Sequence, residues 1–329
     1  MPRRFWWWAL GGAAAVVVVI ATWFVLQVYP IGGPGRSVSV TVHAGDSMST
    51  IANELHTAGV IASPLAFRLD AVIFGAPTVY PGTYVFRQAS SFAAVKGVFA
   101  APVISVVPGL TLHEVALQVA SRVGDSFANR FVIDAERAAA RSPYAPRGSL
   151  EGLIGVGQYR LTTQVTPRVL VDQMVTSFNA EAASVGLSSS TTRAGLSAYQ
   201  LVIAASIVEK EGYYARNMPK VARVIFNRLA RGGPLQMDAT ILYALGMDGG
   251  AVTHAMLRTR SPYNTYLTNG LTPTPICTVS TTALRAVLNA PPGPWLYFTV
   301  VDRSGNEAFS STFAQQLANE RLAASRGVS

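Results

Sequence analysis

Residues 201–212, LVIAASIVEKEG, constrain this chain more than any other stretch. Apolar side chains fill nearly every position from Leu201 to Val208, which predicts a helix buried on most sides. The run ends in Glu209 and Glu211, flanking Lys210. A carboxylate fixed at the end of a buried helix is where desolvation can raise a pKa towards that of a general acid. Residues two apart on a helix do not share a face, so the two acids meet different surroundings. The plain alternative is that both glutamates mark the solvated end of a core helix.

Composition excludes some functions. The 329 residues are 50% apolar and 13% charged, which is a globular rather than a disordered composition. The net charge of +9 is spread without a block of like charges or a basic stripe interleaved with aromatics. Nucleic acid is therefore not an expected partner, whereas a general attraction to anionic polymers is. Cys277 is the sole cysteine, so no intrachain disulfide can form. Four scattered histidines give no ligand spacing, and neither a metal nor a cofactor is expected.

The N-terminus carries a second strong signal. Residues 1–4, MPRR, precede an uncharged run, and 5–28 is long and apolar enough to read as a transmembrane helix. Trp6, Trp7 and Trp8 suit an interfacial belt, and Arg3 and Arg4 assign residues 1–4 to the cytoplasmic side. The expectation is a single-pass anchor in a bacterial inner membrane, with the chain beyond a linker at 29–37 facing the periplasm. A cleaved signal peptide would have a shorter apolar core.

Beyond the linker, alternation over Val38–Val42 predicts a strand, followed by a turn and a helix to about His56. Ser63-Pro64 opens another helix, and residues 78–88, TVYPGTYVFRQ, read as strand, turn and strand. Residues 103–124 repeat the order strand, Gly-containing turn, helix. These β-turn-α units, over 38–124, suit either polymer binding or simple spacing. Residues 125–149 read as a helix and then a turn-rich loop, and 166–186 as an amphipathic helix with Pro167 in its first turn. Pro219 opens a further helix, which Gly232-Gly233 ends. Residues 281–291 predict a short helix, 295–301 a buried strand and the C-terminus a helix.

Several residues are candidates for chemistry. Glu151, in SLEGLIGVGQYRL, lies between apolar residues and close to three glycines, as in a cleft wall or a loop whose N–H groups it satisfies. Gln236 and Asp238 stand just before a predicted helix ending at Gly246. Tyr263, Asn264 and Tyr266 sit in a loop at 260–280 dense in Tyr, Asn, Thr and Pro. Rings with nearby amides and hydroxyls suit a sugar-binding wall.

The segments ASIVEKEG, VARVIFNRLARGGPLQMDATILYALG, SPYNTYLTNGL and PWLYFTVV, with LEG and Tyr159 upstream, together resemble the YceG-like (MltG) family of endolytic murein transglycosylases. The resemblance implies an α+β fold with an N-terminal transmembrane helix, small LysM-like modules at 38–124 and a catalytic domain at 125–329. It implies Glu211 as the catalytic acid. The substrate would be peptidoglycan glycan strands, cut at the MurNAc–GlcNAc bond to leave a 1,6-anhydro end. Glycan-polymerising synthases and the inner membrane would be the partners. The chemistry needs one carboxyl, because the C6 hydroxyl of MurNAc attacks C1 within the sugar. A hydrolase would need a second carboxylate, for which Glu151 is the candidate. A non-enzymatic peptidoglycan-binding scaffold is the third reading. The chain departs from the family pattern at Gly155–Gln158, across Thr272–Ser280, and at Glu307 and Gln316.

Overall fold

The computed structural model describes residues 3–328 except 32, 44, 140, 141, 145–148, 163 and 213, with side chains from residue 14 onward. The predicted linker and the turn-rich loop at 142–149 fall partly outside these residues. The side chains of Trp6, Trp7 and Trp8, read as a membrane-interface belt, lie outside them entirely. By its internal contacts the chain forms two compact units, residues 1–102 and 103–329.

The smaller unit opens with helix α1 (Arg3–Val28), followed by β1 (Ser37–Val42), α2 (Met48–Thr57), α3 (Pro64–Phe74), β2 (Gly82–Arg87) and α4 (Phe92–Ala100). β1 and β2 pair antiparallel, with Val40 opposite Tyr84. Alternate residues of both strands turn inward, where Val40, Val42, Tyr84 and Phe86 meet Ile51 and Leu55 of α2 and Phe67 of α3. Ser47, Ser63 and Ser91 each cap a helix through the side-chain oxygen. Residues 78–88 form one strand rather than the expected hairpin. Pro81 has no N–H for a ladder, and the Tyr84 hydroxyl takes both polar groups of Tyr80, accepting from its N–H at 3.1 Å and donating to its carbonyl at 2.6 Å.

The N-terminal expectation needs correction. Among the described residues no helix is long and apolar enough to cross a membrane. The part of α1 with described side chains runs from residue 14 to residue 28. Phe24 and Val28 at its end pack against the core of the smaller unit. The transmembrane helix in the expected fold, the single-pass topology and the inner-membrane localisation built on it are therefore overturned. What stands is a mixed α+β chain of helices and small sheets.

The larger unit contains β3 (Val103–Val106), α5 (Leu112–Val123), α6 (Asp125–Ala139), β4 (Gly157–Arg160), α7 (Pro167–Ser184), the short strands β5 (Thr192–Arg193) and β6 (Leu196–Ser197), and α8 (Ala198–Glu211). It continues with α9 (Met218–Ala230), α10 (Asp238–Ala244), α11 (Thr281–Leu288), β7 (Tyr297–Val300), β8 (Glu307–Ser310) and α12 (Phe313–Ser325). Each sheet has two antiparallel strands: β3 with β4, β5 with β6, β7 with β8.

Helix α8 is the axis of this unit. Its start is set by a capping box: the Ser197 hydroxyl accepts from the Gln200 N–H, and the Gln200 side chain accepts from the Ser197 N–H. From Leu201 to Val208 every residue is buried, including Ser206, whose hydroxyl donates to the Ile203 carbonyl and accepts from the Ile276 N–H. Helices α9, α10 and α11 pack around it. At the C-terminal end a side chain on Gly212 would come within 2.7 Å of Met218 Cγ and 2.9 Å of the Val208 carbonyl. The chain turns there in contact with α9, which holds the last residue of α8 in place.

Candidate active site

Glu211 is that last residue, and it is half-buried. Its Oε1 accepts from the Ala239 N–H at 3.0 Å, in the first turn of α10. Desolvation is the main cause that pushes its pKa from 4.5 up to about 7. The charges of Asp238 and Glu307 push the same way, while the Ala239 bond and the Arg228 guanidinium pull it down. A carboxyl so placed holds its proton near neutrality and can still give it up. Glu209, two residues earlier, points elsewhere: its Oε2 accepts from the Ser280 N–H at 2.8 Å and the Ser280 hydroxyl at 2.6 Å, at the start of α11. Lys210 between them pairs with Asp248 at 2.7 Å.

Two cavities meet at Glu211. The larger, about 760 Å³, is lined by Glu151, Glu211, Asp238, Tyr243, Tyr263 and Ile276 among others. The smaller, about 380 Å³, is lined by Glu211, Arg228, Gln236, Asp238, Tyr266 and Tyr297 among others. Both lie in the range of small-molecule sites. Glu211 and Asp238 are common to the two.

Glu151 lies on the larger cavity and is only 6% exposed. Its Oε1 accepts from the Leu112 N–H at 2.9 Å, and its Oε2 accepts from the Tyr243 hydroxyl at 3.2 Å. Burial raises its pKa to about 7 as well, against the lowering effect of those bonds. The adjoining Gly152 has φ +70°, and a Cβ there would lie 2.3 Å from Pro275 Cβ and 2.9 Å from the Cys277 carbonyl. That close approach brings the loop at 272–280 against Glu151.

The other sequence candidates separate into two groups. Gln236, Asp238 and Tyr266 line the smaller cavity, and Tyr263 lines the larger one. Gln236 takes φ +51°, unusual for a residue with a side chain, and its N–H donates to the Thr265 carbonyl at 2.9 Å. The Tyr266 hydroxyl donates to Asp238 Oδ1, and burial, helped by that bond, pushes the phenol pKa up. The Tyr263 hydroxyl pairs with Thr274 Oγ1 at 2.9 Å. Asn264, by contrast, is fully buried. Its amide donates to the Leu257 and Thr259 carbonyls at 3.0 and 2.8 Å, and its Oδ1 accepts from the Tyr266 N–H at 3.0 Å. Asn264 therefore holds the loop that presents the two tyrosines, and lines neither cavity.

Three contributions escaped the sequence reading. Arg228 of α9 lines the smaller cavity, donates to the carbonyls of Leu296 and Leu235, and lies 5.3 Å from the Tyr297 ring centroid. Tyr243 is the partner of Glu151. The wall from β7 and α12, with Tyr297, Phe313 and Gln316, closes the smaller cavity from a distant part of the chain. Helical spacing puts Arg228 three, four and seven residues after Ile225, Val224 and Val221, on the face of the buried stripe, and a cation on that face was the signal that could have found it. Of the departures, Gly155 lies against α7, where a Cβ would be 2.4 Å from Ser177 Cβ. Gln316 is buried and lines the smaller cavity, and Glu307 acts on Glu211 through its charge. Among the described residues, the group able to offer ligand atoms within 4.8 Å of one another is His43, Asp46 and Glu54, in the smaller unit.

Known proteins resemble both the sequence and the fold. An endolytic murein transglycosylase of Bacillus subtilis is 25% identical over 300 residues, covering 85% of this chain and 82% of the relative. One from Streptococcus pneumoniae is 27% identical over 301 residues, 80% of this chain, which spans only 54% of that relative's length. The crystal structure of a yceG-like protein from Listeria monocytogenes matches 86% of this chain and 99% of its own, with a TM-score of 0.60 and 24% identity, a likeness of fold. The profile of the YceG-like family matches residues 40–322, and the chain belongs to that family.

Proposed function

We propose that the protein is an endolytic murein transglycosylase acting on peptidoglycan glycan strands, with Glu211 as its acid and base. The observation that carries this reading is that Glu211, with its pKa raised to about 7, lies where two cavities meet. A polymer cut within its length needs room on both sides of the scissile bond. Protonated Glu211 donates to the glycosidic oxygen between MurNAc C1 and GlcNAc O4, and that C–O bond breaks. The carboxylate then takes the proton of the MurNAc C6 hydroxyl as its oxygen bonds to C1. The product is a 1,6-anhydro ring, water is not consumed, and Glu211 ends protonated again. General acid–base transfer contributes about 10²–10⁴-fold. Positioning and charge stabilisation supply the rest, and Asp238, held by the Tyr266 hydroxyl, is placed to offset positive charge developing on the sugar.

Gln236, Tyr263 and Tyr266 position the strand directly, while Asn264 does so through the loop it holds. Action on nascent strands, as a terminase beside glycan-polymerising synthases, belongs to this proposal on family membership alone. One observation favours a second reading, hydrolysis: Glu151 shares the larger cavity and carries a similarly raised pKa. Against it, both oxygens of Glu151 already accept hydrogen bonds, which leaves it poorly placed to activate water. Digestion of purified peptidoglycan by the wild type and by Glu211→Gln, with product masses recorded, tests the choice. Anhydro ends that vanish in the variant support transglycosylation. Reducing ends support hydrolysis, and intact glycan supports a binding scaffold.

A further inference from the structure

The two cavities differ in a way that sets the direction of the strand, and this inference rests on the reading just given. In a MurNAc–GlcNAc bond only MurNAc carries a lactyl ether at O3, with its peptide, while GlcNAc is unsubstituted. The sugar on one side of Glu211 therefore needs far more room than the sugar on the other. The larger cavity has twice the volume of the smaller, about 760 against 380 Å³. Its wall includes Leu242, Met247, Pro262 and Ile276, apolar groups suited to the methyls of a lactyl group and alanine residues. Lys210 and His113 stand there beside the acids Glu114, Glu151, Asp238 and Asp248, and Lys210 is paired to Asp248, so volume and apolar lining rather than charge suit this cavity to the lactyl-peptide arm.

The smaller cavity is built for a bare ring. Tyr297 and Phe313 stand 6.1 Å apart between centroids at 56°, and Tyr266 adds a third ring. Such faces cover the apolar face of a pyranose. Gln236 supplies an amide suited to an acetamido group and hydroxyls, while buried Gln316 is held by Ser310, Phe298 and Glu320 and forms a fixed polar wall. Among the described residues of this lining the one cation is Arg228, and two backbone carbonyls engage it.

We infer that the smaller cavity, between Tyr297, Phe313 and Gln316, binds the GlcNAc that departs as leaving group, and that the larger cavity binds the peptide-bearing MurNAc that becomes the anhydro sugar. The strand then lies across Glu211 with one polarity, and stem peptides leave the site on the side of α10 and the Gly246–Gly250 segment.

A crystal structure of Glu211→Gln with an uncleaved oligomer of alternating GlcNAc and peptide-bearing MurNAc tests this. The expected result is a GlcNAc ring against Tyr297 and a lactyl group in the larger cavity. The reverse polarity, or both sugars in the larger cavity, or an oligomer in neither, overturns it. In solution, Tyr297→Ala should raise KM about tenfold, the loss of one ring contact, with kcat within about threefold and Tm little changed. An equal fall in kcat, or an unchanged KM, contradicts the assignment. A wild type that yields no anhydro ends would sink the transglycosylase reading instead, and the crystal structure would still show which sugar each cavity takes.

Discussion

Glu211 and Glu151 occupy two walls of one cavity, and burial raises both carboxyls to about 7. Their surroundings differ. Glu151 sits on a loop, with a backbone N–H on one oxygen and a tyrosine hydroxyl on the other. Glu211 stands at the end of a helix, anchored through Oε1 by one N–H, and opens to a cavity on each side. A raised pKa alone would not choose between them. Hydrogen bonding and access do: Glu151 holds α5 and α10 together, and Glu211 is left open to both cavities.

Substitutions can break this contrast. Glu211→Gln should lower the release of anhydro ends by about 10²–10⁴-fold, since the amide cannot carry the proton. Glu151→Gln should lower turnover by about tenfold or less, through displaced walls, and leave the product ends unchanged. A loss as large as that of Glu211→Gln, read in the same digestion, would make Glu151 a partner in catalysis.

The pH dependence sharpens the same point. Activity needs the protonated acid, so turnover should fall as pH rises through about 7, in a rate profile of the wild type. Stability has the same sign. A carboxyl whose folded pKa is raised above 4.5 contributes stability that is fully present below 4.5 and lost as pH rises through about 7. Glu211→Gln should therefore be more stable than the wild type at pH 8, by about 2–3 kcal/mol at most, and little different at pH 4. Urea unfolding at the two pH values checks this. Tyr266→Phe removes the donor to Asp238 and should cost a few-fold in kcat. Smallest of all, Glu209→Gln should leave activity within about twofold while lowering stability by about 1 kcal/mol in thermal melts, since Glu209 holds Ser280, the N-cap residue of α11.

Local features were legible in the sequence where a short-range rule governs them. The apolar run of α8, Pro167 in the first turn of α7 and the Gly246 stop after α10 are such cases. So was the divergence of Glu209 from Glu211, which follows from helical geometry. Long-range partners were not. Nothing local says that β3 pairs with β4 across 50 residues, or that Tyr243 bonds to Glu151. Asn264 looked like a substrate contact because loop amides often are, but its carbonyl partners at Leu257 and Thr259 consume its donors. The wall from β7 and α12 was invisible for the same reason, since tertiary closure alone brings Tyr297 and Phe313 to Glu211. The N-terminal run shows the opposite failure. There a strong local pattern suggested a membrane span that no described helix is long and apolar enough to make.

The central claim is that Glu211 promotes bond cleavage without water. Digestion of peptidoglycan in ¹⁸O-labelled water, followed by mass analysis of the new ends, tests it most directly. The account predicts anhydro ends with no solvent oxygen from the wild type and none of these products from Glu211→Gln. One labelled oxygen per cleaved bond, or undiminished cleavage by the variant, would contradict it.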